Sequence, residues 1–144
     1  MVYQAGTADL DALATLAALL WDSHSVPELR KEFAAVIEGG DGAFFLKTHG
    51  GAPVGFAQCQ LRRDYVEGTR SSPVGYLEGI FVREAYRRRG FAGELLAACE
   101  GWARSRGCVE FASDCELSNA CSLAFHLCAG FSETNRIICF AKKV

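Results

Sequence analysis

Between two strongly patterned runs, Val74–Val82 and residues 90–106, the chain carries Arg87-Arg88-Arg89-Gly90-Phe91-Ala92-Gly93. The first run is rich in branched and aromatic residues and reads as a strand, although Glu78 and Gly79 interrupt it. An acid and a glycine at that place predict a bulge or a site. In the second run Phe91, Leu95, Cys99 and Trp102 repeat along one helical face, Arg104 and Arg106 favour the negative end of the dipole, and Gly107 supplies a stop. Residues 109–113 then read as another strand. Strand, helix, strand in that order implies a parallel crossover.

The turn itself is chemically pointed. Three arginines beside a helix start oppose the helix dipole, so they are poor choices for capping alone. Small residues there let backbone N–H groups approach an anion, and the arginines add charge. Such a turn suits a pyrophosphate. A plain strand-to-helix connection with surface arginines is the structural alternative, because short glycine patterns match by chance.

The rest of the chain supplies partners for this unit. Residues 2–5 read as a first strand, Thr7 offers a cap, and Leu10, Leu13, Leu16 or Ala17, and Leu20 follow at helical spacing up to Trp21. Pro27 opens a second helix with Leu29, Phe33, Val36 and Ile37 on one face, and Gly39-Gly40 ends it. Residues 43–48 and 54–61 flank His49-Gly50-Gly51 as a hairpin, and 62–73 form a polar loop. Ala120, Leu123, Ala124 and Leu127 mark a short helix ended by Gly130, and 135–142 read as a last strand. The expected fold is a single α/β domain (α+β mixed) over residues 1–144, with a central mixed sheet flanked by about four helices.

Composition narrows the function. Fifteen Lys plus Arg face seventeen Asp plus Glu, for a net charge of -2, so the global basic excess of a nucleic-acid binder is lacking. No interleaved aromatics accompany Arg87–Arg89 either, and no nucleic-acid partner is expected. The seven cysteines include no C-x-x-C pair and are odd in number, which predicts reduced thiols in a cytoplasmic protein, without a zinc knuckle. The longest uncharged run, 117–132, contains Ser, Asn and His and falls short of the roughly 20 apolar residues of a bilayer span, so no membrane role is expected.

The motif Arg87-x-x-Gly90-x-Ala92 resembles the Gln/Arg-x-x-Gly-x-Gly/Ala signature of the GNAT superfamily of acyl-CoA-dependent N-acetyltransferases. A second element, Asn119 followed by a helix and Gly130-Phe131, is similar to that family's Asn…Tyr…Gly-Phe pattern, with His126 where many members carry the Tyr. The resemblance implies a GNAT-like fold that takes acetyl-CoA as cosubstrate and no metal. The amides of Arg88, Arg89, Gly90, Phe91, Ala92 and Gly93, with Arg87, would grip its pyrophosphate. The strand Ile80, Phe81, Val82 would pair with the pantetheine arm and Asn119 would contact it, besides serving as a helix cap. His126 would stand in for the proton donor to the leaving thiolate, or make a polar contact beside it.

Trp21, Asp64-Tyr65-Val66-Glu67-Gly68-Thr69, Ser72 through Ile80, Glu110 through Asp114 and Gly130 through Thr134 resemble, more narrowly, the aminoglycoside 6'-N-acetyltransferases. That likeness implies transfer to the 6'-amine of a polycationic antibiotic and, commonly, a homodimer. It places Glu78 and Asp114 at the acceptor amine, as catalytic and binding acids, with Trp21, Tyr65 and Glu133 as outer binding groups. An alkylamine near pKa 10.4 is mostly charged at neutral pH, so carboxylates near 4 would orient it and pass its proton through water. Two other readings share these residues: an acetyltransferase for another small amine or a protein amine, and a non-catalytic acyl-CoA-binding module.

Overall fold

Leu10, Leu13, Leu16 and Ala17 share one buried face, together with Ala14, on helix α1 (Leu10–Leu20). A computed structural model describes residues 1–144. The cap expected from Thr7 is replaced by a short 3-10 turn, Thr7–Asp9, in which the Asp9 carboxylate accepts the Gly6 N–H at 2.9 Å. Helix α2 (Val26–Gly39) starts as Pro27 predicts, and it is fixed further by a reciprocal cap: the Ser25 hydroxyl accepts from Glu28 N–H and the Glu28 carboxylate accepts from Ser25 N–H. Gly40 closes it in the left-handed conformation, φ +75°.

The strands β1 (Val2–Gln4), β2 (Gly42–His49), β3 (Ala52–Arg62), β4 (Val74–Val82) and β5 (Phe111–Ser113) form one mixed sheet in the order 1-2-3-4-5. All neighbours are antiparallel except β4 and β5, which run parallel because helix α3 (Phe91–Ser105) crosses between them. Helices α1 and α2 cover one face, where Phe33, Phe44, Leu46 and Phe56 meet. Helix α3 covers the other, packing Leu95, Cys99 and Trp102 on Phe45, Ala57 and Cys59, and α4 (Ala120–Cys128) adds Phe125 beside it. Both faces of the central strands are therefore dry, which is why β2 and β3 read as nearly continuous apolar runs.

Two expectations from sequence need correction. The strand expected over 109–113 is only three residues long. The strand expected over 135–142 does not form: residues 131–144 carry no regular structure and no backbone hydrogen bond ties 135–142 to the sheet. A strand needs an edge to pair with, and this chain brings none alongside. Ile137, Ile138 and Phe140 accordingly stand 70%, 80% and 91% exposed.

Leu95 is fully buried where α3 meets the sheet. Leu95→Ala should lower stability by about 2–5 kcal/mol, read as a drop in the urea midpoint without a change in slope.

Candidate active site

Strand β4 carries the site because its ladder breaks in two places. Opposite β3, the register passes from Gln58↔Gly79 to Cys59↔Leu77, so Glu78 is the extra residue of a β-bulge. The bulge, one of the two readings of Glu78–Gly79, is therefore present. The bulge also switches faces: Ile80 and Val82 pack on the α3 side, while Val74 and Tyr76 join a separate small cluster with Val66 and Ala112. Gly79 lies so close under the Trp21 indole that a Cβ there would come within 2.8 Å of the ring.

Opposite β5, pairing covers only Gly75↔Phe111, Tyr76↔Ala112 and Leu77↔Ser113. Beyond Leu77 the outer edge of β4 has no strand beside it, so its backbone groups from Gly79 onward are open to an extended ligand, except the Val82 carbonyl, which accepts from Arg87 Nε at 3.0 Å. A cavity of about 270 Å³ lies at the end of this edge, lined by Val82, Tyr86, Arg87, Arg88, Gly90, Phe91, Ala92, Gly93 and Phe125. Arg88 and Gly90 both take positive φ, 57° and 79°. For an arginine that conformation is strained, and in alternation it turns successive N–H groups toward one hollow. With the α3 N-terminus behind it, this hollow fits an anion such as a pyrophosphate. Helix α3 is pinned at this end by Lys47 of β2, 5% exposed, which reaches Glu94 at 2.5 Å and lies over the Phe91 ring at 4.1 Å.

On the α1/α2 side, a second cavity of about 320 Å³ is lined by Trp21, His24, Leu29, Glu32, Gln58, Gln60 and Glu78. Its wall holds two carboxylates, two amides and an indole. Trp21 serves the core as well, edge-on to Phe33 and Phe56 at 6.3 and 5.8 Å. Arg62 holds Glu78 in a forked ion pair, its Nη2 at 2.9 and 3.2 Å from the two oxygens. The same guanidinium lies 3.4 Å from the centre of the Tyr76 ring, and the Tyr76 hydroxyl donates to Asp114. Burial, then the Asp114 carboxylate, hold the Tyr76 phenol well above its usual range.

His126 sits between Phe125 and Phe131. Its Nδ1 lies 2.7 Å from the Ser122 carbonyl, which can only accept, so Nδ1 carries the proton in the neutral ring. Nε2 is then the acceptor of the Ser113 hydroxyl at 2.8 Å. In this tautomer Nε2 carries no proton, so His126 gives one toward Ser113 only after taking one up. Asn119 caps α4, its side-chain oxygen accepting Ser122 N–H at 3.0 Å.

Not every expected residue comes to the cavities. Tyr65 is 77% exposed, its hydroxyl beside Glu67, and lines neither. Glu133 is ion-paired with Arg136, which holds its carboxyl below the usual range, and it too lies outside both. Phe81 turns its ring into the α1/α2 core, leaving only its backbone to the free edge. Reading the sequence missed Arg62, Tyr76, Ser113, Glu32, Gln58 and Gln60. Tyr76 was readable, two residues before Glu78 on a strand; Arg62 was not, because its pairing depends on the bulge.

A sheet whose parallel strands part beside an anion-binding helix start defines an acyltransferase of the GNAT type. The Acetyltransferase (GNAT) family model matches residues 13–131, and the chain belongs to that family. Among curated relatives, the aminoglycoside N(6')-acetyltransferase type 1 of Serratia marcescens is 41% identical over 93% of this chain and 92% of its own length. A solved complex of AAC(6')-Iy with the bisubstrate analogue CoA-S-monomethyl-acetylneamine superposes with TM-score 0.96 at 35% identity, covering 100% of this chain and 98% of that one. The 6'-N-acetyltransferase AAC(6')-Ih of Acinetobacter baumannii superposes with TM-score 0.93 at 36% identity, covering 100% and 98%.

The folded state holds the Tyr76 proton more tightly than the unfolded chain does. That stabilisation is complete below the unfolded value near 10 and is lost as pH rises toward the folded one. Tyr76→Phe should cost about 1 kcal/mol at pH 7 and make the decline of stability above pH 10 shallower than in the parent, measured by urea unfolding across that range.

Proposed function

We propose that the chain is an aminoglycoside 6'-N-acetyltransferase, an antibiotic-resistance enzyme that moves the acetyl group of acetyl-CoA directly to the 6'-amine. The observation that carries this reading is the position of β4: its free edge leads to the anion-binding hollow, while its bulge delivers Glu78 to an acid-bearing, aromatic-walled cavity. One strand thereby serves donor and acceptor. The names and CoA complexes of the relatives above support the same pairing.

Bound acetyl-CoA supplies a thioester carbonyl and a good leaving thiolate. The chain's share is to hold and orient. The amides of 88–93 and the arginines bind the pyrophosphate, the Ile80–Val82 backbone takes the pantetheine arm, and Asn119 borders it. Glu78 and Asp114 receive the ammonium form of the acceptor; one proton leaves through water before the neutral nitrogen attacks the carbonyl carbon, and the nitrogen sheds a second as the thiolate departs. His126 takes up that second proton at Nε2 and, through the Ser113 hydroxyl, passes one on to the departing sulfur. Trp21 covers the sugar face, and Tyr65 and Glu133 act farther out on an extended substrate. Forming the amide removes one positive charge from a polycation.

The enzyme works in the cytoplasm as a single-domain subunit of a homodimer. The seven free thiols fit a reducing compartment, and no helix is long and apolar enough to cross a membrane. Ile137, Ile138 and Phe140 form an exposed, strand-patterned tail, the β5 edge of the sheet is open, and a second copy of the chain covers both. Sedimentation should show a dimer that Phe140→Asp shifts toward monomer.

Coenzyme A release from acetyl-CoA is expected with kanamycin, and not with its 6'-hydroxyl analogue or a lysine peptide. Glu78→Gln and Asp114→Asn should each lower kcat/KM by about 100-fold while leaving acetyl-CoA affinity intact. Parent-like turnover in both variants would favour a CoA-binding module instead.

A further inference from the structure

Arg62 stands at the end of β3, and the acceptor site as read above does not account for it. Its guanidinium engages both oxygens of Glu78, with Nε adding a third contact at 3.3 Å. It also lies flat on Tyr76, the residue that holds Asp114. The next residue, Arg63, turns away to Asp41. Arg62 thus occupies the place where a substrate cation would have to sit: on one acid and one ring away from the other. No Lys or Arg lines the adjoining cavity, whose other carboxylate is Glu32.

We infer that Arg62 is the resident counter-cation of the acceptor site, and that a substrate ammonium enters by displacing it from Glu78. The inference rests on the aminoglycoside reading and adds a residue that sets specificity. Glu78 is three-quarters covered, with 22% of its side chain exposed, so an unpaired carboxylate there would be costly in the empty enzyme. Arg62 removes that cost, yet it is 43% exposed and sits where β3 gives way to a loop, so it can swing into water without breaking the sheet.

Selectivity follows from the difference between the two cations. A planar guanidinium chelates a carboxylate through a fork, whereas an ammonium binds it as a point charge. A single amine is therefore a weak competitor for Glu78. A polycation brings further amines, for which Glu32 and Asp114 are available, and these offset the loss of the fork. Arg62 in this way screens out monoamines and admits polyamino sugars.

A purely structural ion pair predicts the opposite kinetics: removing Arg62 would leave Glu78 misplaced and raise KM or lower kcat. The test is steady-state kinetics with kanamycin on the parent, Arg62→Gln and Arg62→Lys. Displacement requires the Gln variant's KM for kanamycin to fall by about five-fold, with the KM for acetyl-CoA unmoved, while Arg62→Lys, which keeps the charge and loses the fork, falls between Gln and the parent. A KM for kanamycin that rises or holds steady in the Gln variant overturns the inference. A parent that does not acetylate kanamycin at all sinks the aminoglycoside reading itself, a separate outcome that takes this inference with it. A second measurement needs no variant: in the parent, saturating kanamycin should speed solvent exchange of the Arg62 Nε–H seen by nitrogen NMR. An unchanged exchange rate at saturation would equally overturn displacement.

Discussion

The bulge at Glu78 is the constraint on which the site depends. A regular β4 would keep one alternation from Val74 to Val82, placing Tyr76 and Glu78 on the same face as Ile80 and Val82, against α3. One extra residue opposite Gln58 and Cys59 breaks that alternation. The carboxyl-terminal half of the strand keeps Ile80 and Val82 in the α3 core, and Glu78 emerges beside Trp21 in a polar cavity. A charge that would be costly inside a sheet is thereby given a cation, Arg62, and partial access to water.

The second break, between β4 and β5, does complementary work. Because α3 must cross the sheet, β5 enters parallel and short, and it stays with β4 for three residues only. The outer edge of β4 runs toward the α3 N-terminus, whose position is set by packing on one face and by the ion pair of buried Lys47 with half-exposed Glu94 at its first turn. Just before this helix start Arg88 takes a positive φ of 57°. Two irregularities in one strand thus set an arginine- and glycine-lined hollow at its end and a cavity bearing Glu78 and Glu32 on its face.

Much of this was legible in residues. The Arg-Gly turn, the amphipathic α3, the hairpin and the helix of leucines each carry a local signal that tertiary context did not override. Glu78 stood out because a charged residue in an apolar strand is rare, and it lines the cavity on the α1/α2 side. Tyr65 and Glu133 were picked on local likeness, and the fold places both outside the two cavities. The tail at 135–142 has a strand's pattern, yet pattern alone supplies no neighbour to pair with, and within this chain it stays open.

The sequence by itself determined most of the elements, their order and the Arg-Gly turn, because periodicity, caps and glycine conformations act over a few residues. Tertiary structure alone decided the partnerships of Arg62 with Glu78, Tyr76 with Asp114 and His126 with Ser113. These link residues 13 to 38 positions apart, across strands or between a strand and a helix. The two cross-strand pairs depend on ladder register, and a bulge shifts register by one residue. The helix pair depends on how α4 docks against the end of β5.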